Sequence, residues 1–298
     1  MLTSIATVSL SGDLQEKLDA IAAAGFDGVE IFENDLLSFD GSPADVGKTI
    51  RDLGLKLVTF QPFRDFEGMP EPQRTRAFER AERKFDLMEE LGTDLLMVCS
   101  NVSPHSQGGL DRAAKDLAEL GDRAAKRGLR IAFEALSWGK HISDYRDSWE
   151  VVRRANHPNV GLVLDTFHII ARKVPLDAIS SIPGDKIFLV QVADAPTLEM
   201  DPLSWSRHFR CFPGQGDFPL GDFMRNLAMT GYDGPLSLEI FNDQFRSSST
   251  KNVAKDGLRS LIYLGDGIEG VKVGEKAAIL PPKAHAKEVA FVEFAVEE

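Results

Sequence analysis

The chain has 298 residues, of which 43% are hydrophobic and 27% charged, a composition typical of a globular protein with one large core or two small ones. Its formal net charge of −12 repels phosphate backbones and anionic lipids, which argues against nucleic-acid and membrane-surface roles. No apolar run could span a membrane, no signal peptide is predicted, and the two cysteines lack metal-site spacing, so we expect a cytoplasmic protein.

Eight short apolar segments recur along the chain, separated by segments of helical period, which is the pattern of βα units around a parallel sheet. Each apolar run is nearly continuous, as expected for a strand that is buried on both faces. The predicted strands are Ser4–Ser9, Gly28–Phe32, Lys56–Phe60, Asp94–Cys99, Arg130–Glu134, Val160–Asp165, Lys186–Val192 and Leu236–Ile240. The predicted helices include Leu14–Ala24, Gln73–Leu91, Leu110–Arg127, Ser148–Ala155 and Val253–Leu264.

The number and length of these units indicate the fold. Eight units that end near residue 265 match a (β/α)8 TIM barrel, which typically needs about 250 residues. A doubly wound sheet would usually show a GxGxxG turn after its first strand, and the turn here reads LSGDL. We therefore predict an α/β fold with one TIM barrel over residues 1–265.

The composition of the chain changes after the last predicted helix. Residues 266–287 are rich in Gly, Lys and Pro, which predicts a linker, and residues 288–298 alternate in a way that predicts one strand. A strand without partners is poorly explained as part of the barrel, so we interpret it as the first strand of a second domain. The alternative is a C-terminal tail that packs on the barrel.

Four of the last five predicted strands carry a polar residue at or near their carboxyl ends: Glu134, Asp165, Gln191 and Glu239. The active site of a TIM barrel lies at that end of the strands. Any one carboxylate could be a helix N-cap or half of an ion pair, but carboxylates that converge on one dry barrel mouth need a cation. We therefore predict that these four side chains bind one divalent metal ion.

With these residues the sequence resembles the xylose isomerase-like TIM barrels, a superfamily of sugar isomerases, epimerases, lyases and endonucleases. The Asp-x-x-His motif of that superfamily stands here as Asp165-Thr166-Phe167-His168. The resemblance implies metal ligands on the same four strands, although a histidine is usual where this chain has Gln191. A ligand set made only of oxygens favours Mg²⁺ or Mn²⁺, with Co²⁺ as a further candidate, over Zn²⁺.

Longer motifs narrow the resemblance to the bacterial 3-dehydroshikimate dehydratase family, in the form fused to a 4-hydroxyphenylpyruvate dioxygenase-like domain. The motifs are FEALSWG, LDTFH, QVAD, FRCFPGQGDFP and LEIFND. The resemblance implies a carbon–oxygen lyase that converts 3-dehydroshikimate, a small acidic substrate, to protocatechuate and water in aromatic catabolism. It also implies that Val289–Val296 opens the fused domain, and it leaves the oligomeric state open, a homo-oligomer included.

The implied dehydration needs a proton-transfer group and a cation for the ring carboxylate. His168 follows Asp165 by three residues and titrates near neutral pH, so it is the predicted acid or base and a substrate contact. Arg210 and Arg64 follow apolar segments, and we predict that they bind and orient the carboxylate. Ser206, close to Arg210, is the predicted hydrogen-bond partner of a substrate hydroxyl.

Other interpretations of the same residues stay open. A sugar or hydroxy-acid isomerase or epimerase would use the same metal site, with carboxylates on both faces of the substrate carbon. His168 as a packing residue and the arginines as solvated loop residues form the structural alternative. A non-catalytic scaffold is disfavoured, because it has no use for four convergent ligands.

Overall fold

The computed structural model of the protein describes residues 1–266, 268, 271, 273 and 274. The predicted linker over residues 266–287 falls outside the described residues except at those positions, and the predicted strand over residues 288–298 falls wholly outside them. Within the described part of the chain, no helix is long and apolar enough to cross a membrane.

Eight parallel strands close into one barrel in chain order, with the last strand paired to the first, so the predicted TIM barrel is confirmed. The strands are β1 (Leu2–Ala6), β2 (Gly28–Phe32), β3 (Lys56–Phe63), β4 (Leu95–Cys99), β5 (Arg130–Glu134), β6 (Val160–Asp165), β7 (Ile187–Val192) and β8 (Pro235–Leu238). Every residue of β2, β4 and β6 is buried, which explains why their sequences are nearly continuous apolar runs.

Helices cover the outside of the barrel and pack on the strands. In the described residues they are α1 (Leu14–Ala24), α2 (Glu33–Leu37), α3 (Pro43–Asp52), α4 (Gln73–Leu91), α5 (Leu110–Ala125), α6 (Tyr145–Ala155), α7 (Thr166–Ala171), α8 (Pro202–His208), α9 (Leu220–Met229), α10 (Asp243–Arg246) and α11 (Thr250–Gly265). Short 3₁₀ helices occupy Thr7–Ser9, Asp177–Ser181 and Gly184–Lys186.

A small apolar cluster built from strand residues fills the inside of the barrel and fixes the direction of the polar strand ends. Ala132 and Leu189 belong to this cluster. Glu134 and Gln191 each lie two residues further along the same strands. Because side chains two residues apart on a strand share a face, both polar side chains point into the barrel, above its apolar floor.

The first strand runs over Leu2–Ala6 and not over Ser4–Ser9, as predicted. The reason is that Thr7 begins a 3₁₀ helix, in which the Leu10 N–H donates to the Thr7 carbonyl at 3.2 Å. The last strand is likewise shifted and ends at Leu238, so Glu239 follows the strand directly.

Helix α6 begins at Tyr145, three residues before the predicted Ser148, because the Asp144 carboxylate caps it and accepts from the Arg146 N–H at 2.8 Å. Sequence analysis missed the short helices that follow β6 and β7. One of them, α8, matters for the site described next.

Candidate active site

A cavity opens at the carboxyl ends of the strands and encloses about 280 Å³ of empty space, part of it open to solvent. Six of the eight site residues predicted from the sequence line it: Arg64, Glu134, His168, Ser206, Arg210 and Glu239. Asp165 and Gln191 do not line it: Asp165 accepts a hydrogen bond from Arg210, and Gln191 donates one to Glu30.

Two carboxylates and one imidazole meet at the end of β5 and β6. The His168 Nε2 atom lies 3.6 Å from Asp165 Oδ2 and 3.8 Å from Glu134 Oε1. Ligand atoms of these three residues all lie within 4.8 Å of one another, close enough to share a metal ion. His168 is therefore a fifth candidate ligand, beside the four predicted from the sequence.

Asp165 has two separate tasks. Its Oδ1 atom caps α7, accepting from the Phe167 N–H at 2.6 Å and from the His168 N–H at 3.4 Å. Its Oδ2 atom accepts from Arg210 Nη1 at 2.8 Å. The helix cap thus holds the carboxylate in place and leaves the second oxygen facing the charged groups of the cavity.

A chain of amides and carboxylates fixes the orientation of Gln191. Its Nε2 atom donates to Glu30 Oε2 at 2.9 Å, which leaves the Oε1 atom of Gln191 buried and without a hydrogen bond among the described residues. Gln61 donates to Glu239 Oε1 at 2.9 Å and to Glu30 Oε2 at 3.4 Å. From the sequence, Glu30 at the end of the second strand could enter the pocket, but a structural ion pair is the favoured prediction, and Gln61 has no predicted role.

Arg210 is buried, at 1% exposure, between the carboxylates and α8. Its Nη1 atom donates to Asp165 Oδ2 at 2.8 Å and to Glu239 Oε2 at 3.1 Å. Its Nε and Nη2 atoms donate to Ser206 Oγ at 3.2 and 2.9 Å. Ser206 therefore positions Arg210 in this structure, and the roles of both residues as substrate contacts stay predictions.

Burial shapes the protonation of the carboxylates. Burial first, and then Asp165 and Glu239, raise the pKa of Glu134 well above its usual range. Burial also raises the pKa of Glu239, although Arg210 opposes it. For Asp165, burial acts in the same sense, but Arg210 and His168 outweigh it and the pKa is lowered. Burial, followed by Glu239, raises the pKa of Glu30 to about 8. The site thus crowds more negative charge than one arginine balances.

His168 is held on both sides of its ring. Its Nδ1 atom lies 3.3 Å from the Ser137 N–H and 3.2 Å from Ser137 Oγ, and the Trp138 ring packs edge-on at 5.0 Å between centroids. Burial lowers the pKa of His168 to about 3, with Asp165 opposing and Arg210 adding to the shift. At neutral pH the ring is therefore uncharged, and it does not titrate near neutral pH as expected from the sequence. Its Nε2 atom faces Glu134, Asp165 and Arg210.

Arg207 is the functional candidate that sequence analysis missed. It lies on α8, lines the cavity beside Arg64, and places its guanidinium carbon 4.8 Å from the centre of the Phe241 ring. The helix could have been predicted, because Asp201 is a typical N-cap and Pro202 a typical first residue. A helix predicted from Pro202 would have included Arg207.

A model of the xylose isomerase-like TIM barrel family matches residues 18–264 of the chain. A 3-dehydroshikimate dehydratase of Pseudomonas putida is 55% identical over 305 residues, covering 100% of this chain and 48% of the relative. The chain thus spans about half the length of the curated relatives it matches at this identity. A 3-dehydroshikimate dehydratase of Neurospora crassa is 28% identical over 87% of this chain and 90% of its own length.

Two solved structures are similar to the described fold. A xylose isomerase-like TIM barrel/4-hydroxyphenylpyruvate dioxygenase fusion protein matches with a TM-score of 0.91 and 55% identity, over 96% of this chain and 47% of its own. An IOLI protein with a bound zinc atom matches with a TM-score of 0.83 and 19% identity, over 91% of this chain and 100% of its own, which supports the fold alone.

Proposed function

The chain belongs to the xylose isomerase-like TIM barrel family, and from this membership and the cavity we propose that it is a metal-dependent dehydratase converting 3-dehydroshikimate to protocatechuate and water. The observation that carries the proposal is the meeting of two buried carboxylates, those of Glu134 and Glu239, with three arginines in one small cavity. A site for a cation thus adjoins a site for an anion. The identity to the dehydratase of Pseudomonas putida supports the same reaction.

The residues of the cavity fit a divalent cation. Glu134 Oε1 and Gln191 Oε1 are buried oxygens without a hydrogen bond in the described part of the chain, and such atoms are costly unless something binds them. We propose Glu134, Asp165, Gln191 and Glu239 as the ligands, and Mg²⁺, Mn²⁺ or Co²⁺ as the ion, since all four would bind through oxygen. A divalent ion bound there polarises a ketone oxygen and stabilises the negative charge that develops beside it.

The other side chains supply proton transfer and orientation. His168 lines the cavity, and its uncharged ring would take a proton from the carbon next to the ketone and, once protonated, could pass that proton to the departing hydroxyl group. Trp138 and Ser137 hold the ring in place. Arginines at the mouth attract the acidic substrate and fix its carboxylate, which a neutral sugar lacks. Loss of one water and a proton shift then give the aromatic ring.

The resemblance to a fusion protein supports a proposal about the whole protein. We propose that this barrel is joined to a 4-hydroxyphenylpyruvate dioxygenase-like domain, as in the solved structure at 55% identity. The relative from Neurospora crassa is matched over 90% of its length by this chain, which supports placing the dehydratase activity in the barrel itself.

A panel of substrates tests the proposed reaction against isomerase or epimerase activity. The protein is incubated with Mn²⁺ or Mg²⁺ and either 3-dehydroshikimate or neutral ketoses, and products are followed by mass spectrometry and NMR. We expect a product lighter by one water from 3-dehydroshikimate alone. Epimerised ketoses without any aromatic product would replace the dehydratase with the epimerase.

Glu30→Ala is expected to weaken metal binding by about 10- to 100-fold, the usual cost of losing a group that orients a ligand. The reason is that Glu30 holds the Gln191 amide with its oxygen turned to the other ligands. Titration calorimetry with Mn²⁺ measures the affinity without relying on turnover. Glu30→Gln keeps an acceptor for the Gln191 amide and should therefore retain most of the wild-type affinity for Mn²⁺.

Glu33→Ala is the matched control, because Glu33 directly follows the strand that carries Glu30 but pairs with Lys84 outside the cavity. Equal affinity in Glu30→Ala and the control would show that Glu30 does not position the ligand.

A further inference from the structure

The cavity holds one arginine whose hydrogen bonds are already used. Each of the three nitrogens of the Arg210 guanidinium group has a protein partner, on Asp165, Glu239, Ser206 or His168. A substrate carboxylate could bind there only by displacing these contacts. Arg210 thus acts in this structure as the counter-ion of the buried carboxylates.

Two further arginines line the same cavity with their donors free. Among the residues that the structure describes, neither Arg64 nor Arg207 has a side-chain hydrogen bond or an ion pair. Both are half-buried, and Arg207 is further restricted by its packing on Phe241. Two unpaired cations therefore face one cavity, although the chain as a whole carries a net charge of −12.

The electrostatics show that this arrangement has a cost. Burial first, and then the like charge of Arg64, lower the pKa of Arg207. Guanidinium groups brought together without an anion repel each other, whereas a carboxylate between them would accept several charge-assisted hydrogen bonds. The free donors and the repulsion both point to an anionic ligand between the two arginines.

We infer that Arg64 and Arg207 form the subsite for the carboxylate of the substrate, with Arg207 as the specificity-determining residue contributed by α8. The inference rests on the proposed function for the identity of the substrate, but the subsite itself takes any small ring carboxylate. It predicts that the enzyme distinguishes acidic from neutral ligands through these two residues, while Arg210 serves the carboxylates of the metal site.

Kinetics of Arg207→Gln test the inference in the metal-loaded protein. We expect the KM for 3-dehydroshikimate to rise about tenfold to a hundredfold, the usual loss for a charge-assisted contact, with kcat within about threefold of the wild type. Arg64→Gln should raise the KM in the same way. The KM of Arg207→Lys should lie between those of the wild type and Arg207→Gln. Arg246→Gln is the control, because Arg246 packs on the same Phe241 ring but is exposed and outside the cavity.

Ligand binding gives a second measurement that does not depend on turnover. Calorimetry compares protocatechuate with catechol, which has the same ring without the carboxylate. The wild type should prefer the acid, and Arg207→Gln should lose at least tenfold of that preference. An unchanged KM and an unchanged preference would overturn the subsite while leaving the dehydratase in place. A wild type that forms no aromatic product would contradict the proposed function, and the binding comparison would still decide the subsite.

Discussion

Glu134→Gln is expected to lower turnover of 3-dehydroshikimate by about 10³-fold or more. A bound divalent ion typically contributes several kcal/mol to stabilising the charge of a transition state, and each 1.36 kcal/mol corresponds to about tenfold in rate. The substitution keeps the size of the side chain but removes a buried oxygen that has no hydrogen bond in the described residues. Steady-state kinetics at saturating Mn²⁺ measure the loss.

Thermal unfolding separates metal binding from folding in this variant. A ligand at about 100 times its Kd stabilises a protein by about 2.7 kcal/mol, so added Mn²⁺ should raise the Tm of the wild type and raise that of Glu134→Gln much less. Without metal, the variant should be as stable as the wild type or more stable, because a crowded buried carboxylate is removed. Glu150→Gln is the control, because Glu150 is a half-buried residue of α6 that pairs with Arg153 outside the cavity. Equal stabilisation of Glu134→Gln and the wild type by Mn²⁺ would remove Glu134 from the ligand set.

His168→Ala is expected to lower kcat by about 10²-fold or more, the usual range for losing a general acid or base. The ring lines the cavity and is held on its Nδ1 side at Ser137. Single-turnover kinetics with bound substrate measure the chemical step directly. His208→Ala is the control, since His208 is exposed and hydrogen-bonded to Asp243 at 2.7 Å.

The same variant decides between the two possible roles of His168. A proton-transfer residue can be removed without losing the metal, so the Tm shift with Mn²⁺ should persist in His168→Ala. If the shift disappears together with activity, His168 is a ligand, as its position within 4.8 Å of Glu134 and Asp165 allows. A near-normal kcat would make it a packing residue.

The barrel could be predicted because its strands are buried on both faces and stand out as apolar runs, β4 and β6 among them. The meeting of polar side chains from several strands followed from topology, since strand ends in a barrel meet at one mouth. Helix α8 lacks such a signal: it has seven residues, and only its capping residue and first proline mark it. Arg207 was missed with the helix that carries it.

The partners of the site residues were beyond sequence reasoning. Glu30 lies 161 residues from Gln191 and 31 from Gln61, and only the closed barrel brings the three together. Likewise, the hydrogen bonds that occupy the Arg210 guanidinium group involve Ser206 and depend on side-chain positions, which cannot be read from the spacing of residues in the sequence. Sequence patterns could thus predict which groups share the barrel mouth. Only the structure shows which of these groups are already paired.

The proposed dehydration of 3-dehydroshikimate depends on a bound metal ion, and metal-free protein provides the test. Metal-free protein is mixed with 3-dehydroshikimate, and the appearance of an aromatic acid is followed before and after addition of Mn²⁺ or Mg²⁺. We predict no aromatic product before the addition and steady formation of protocatechuate after it. Full activity of a verified metal-free sample, or no aromatic product with either metal, would contradict the account.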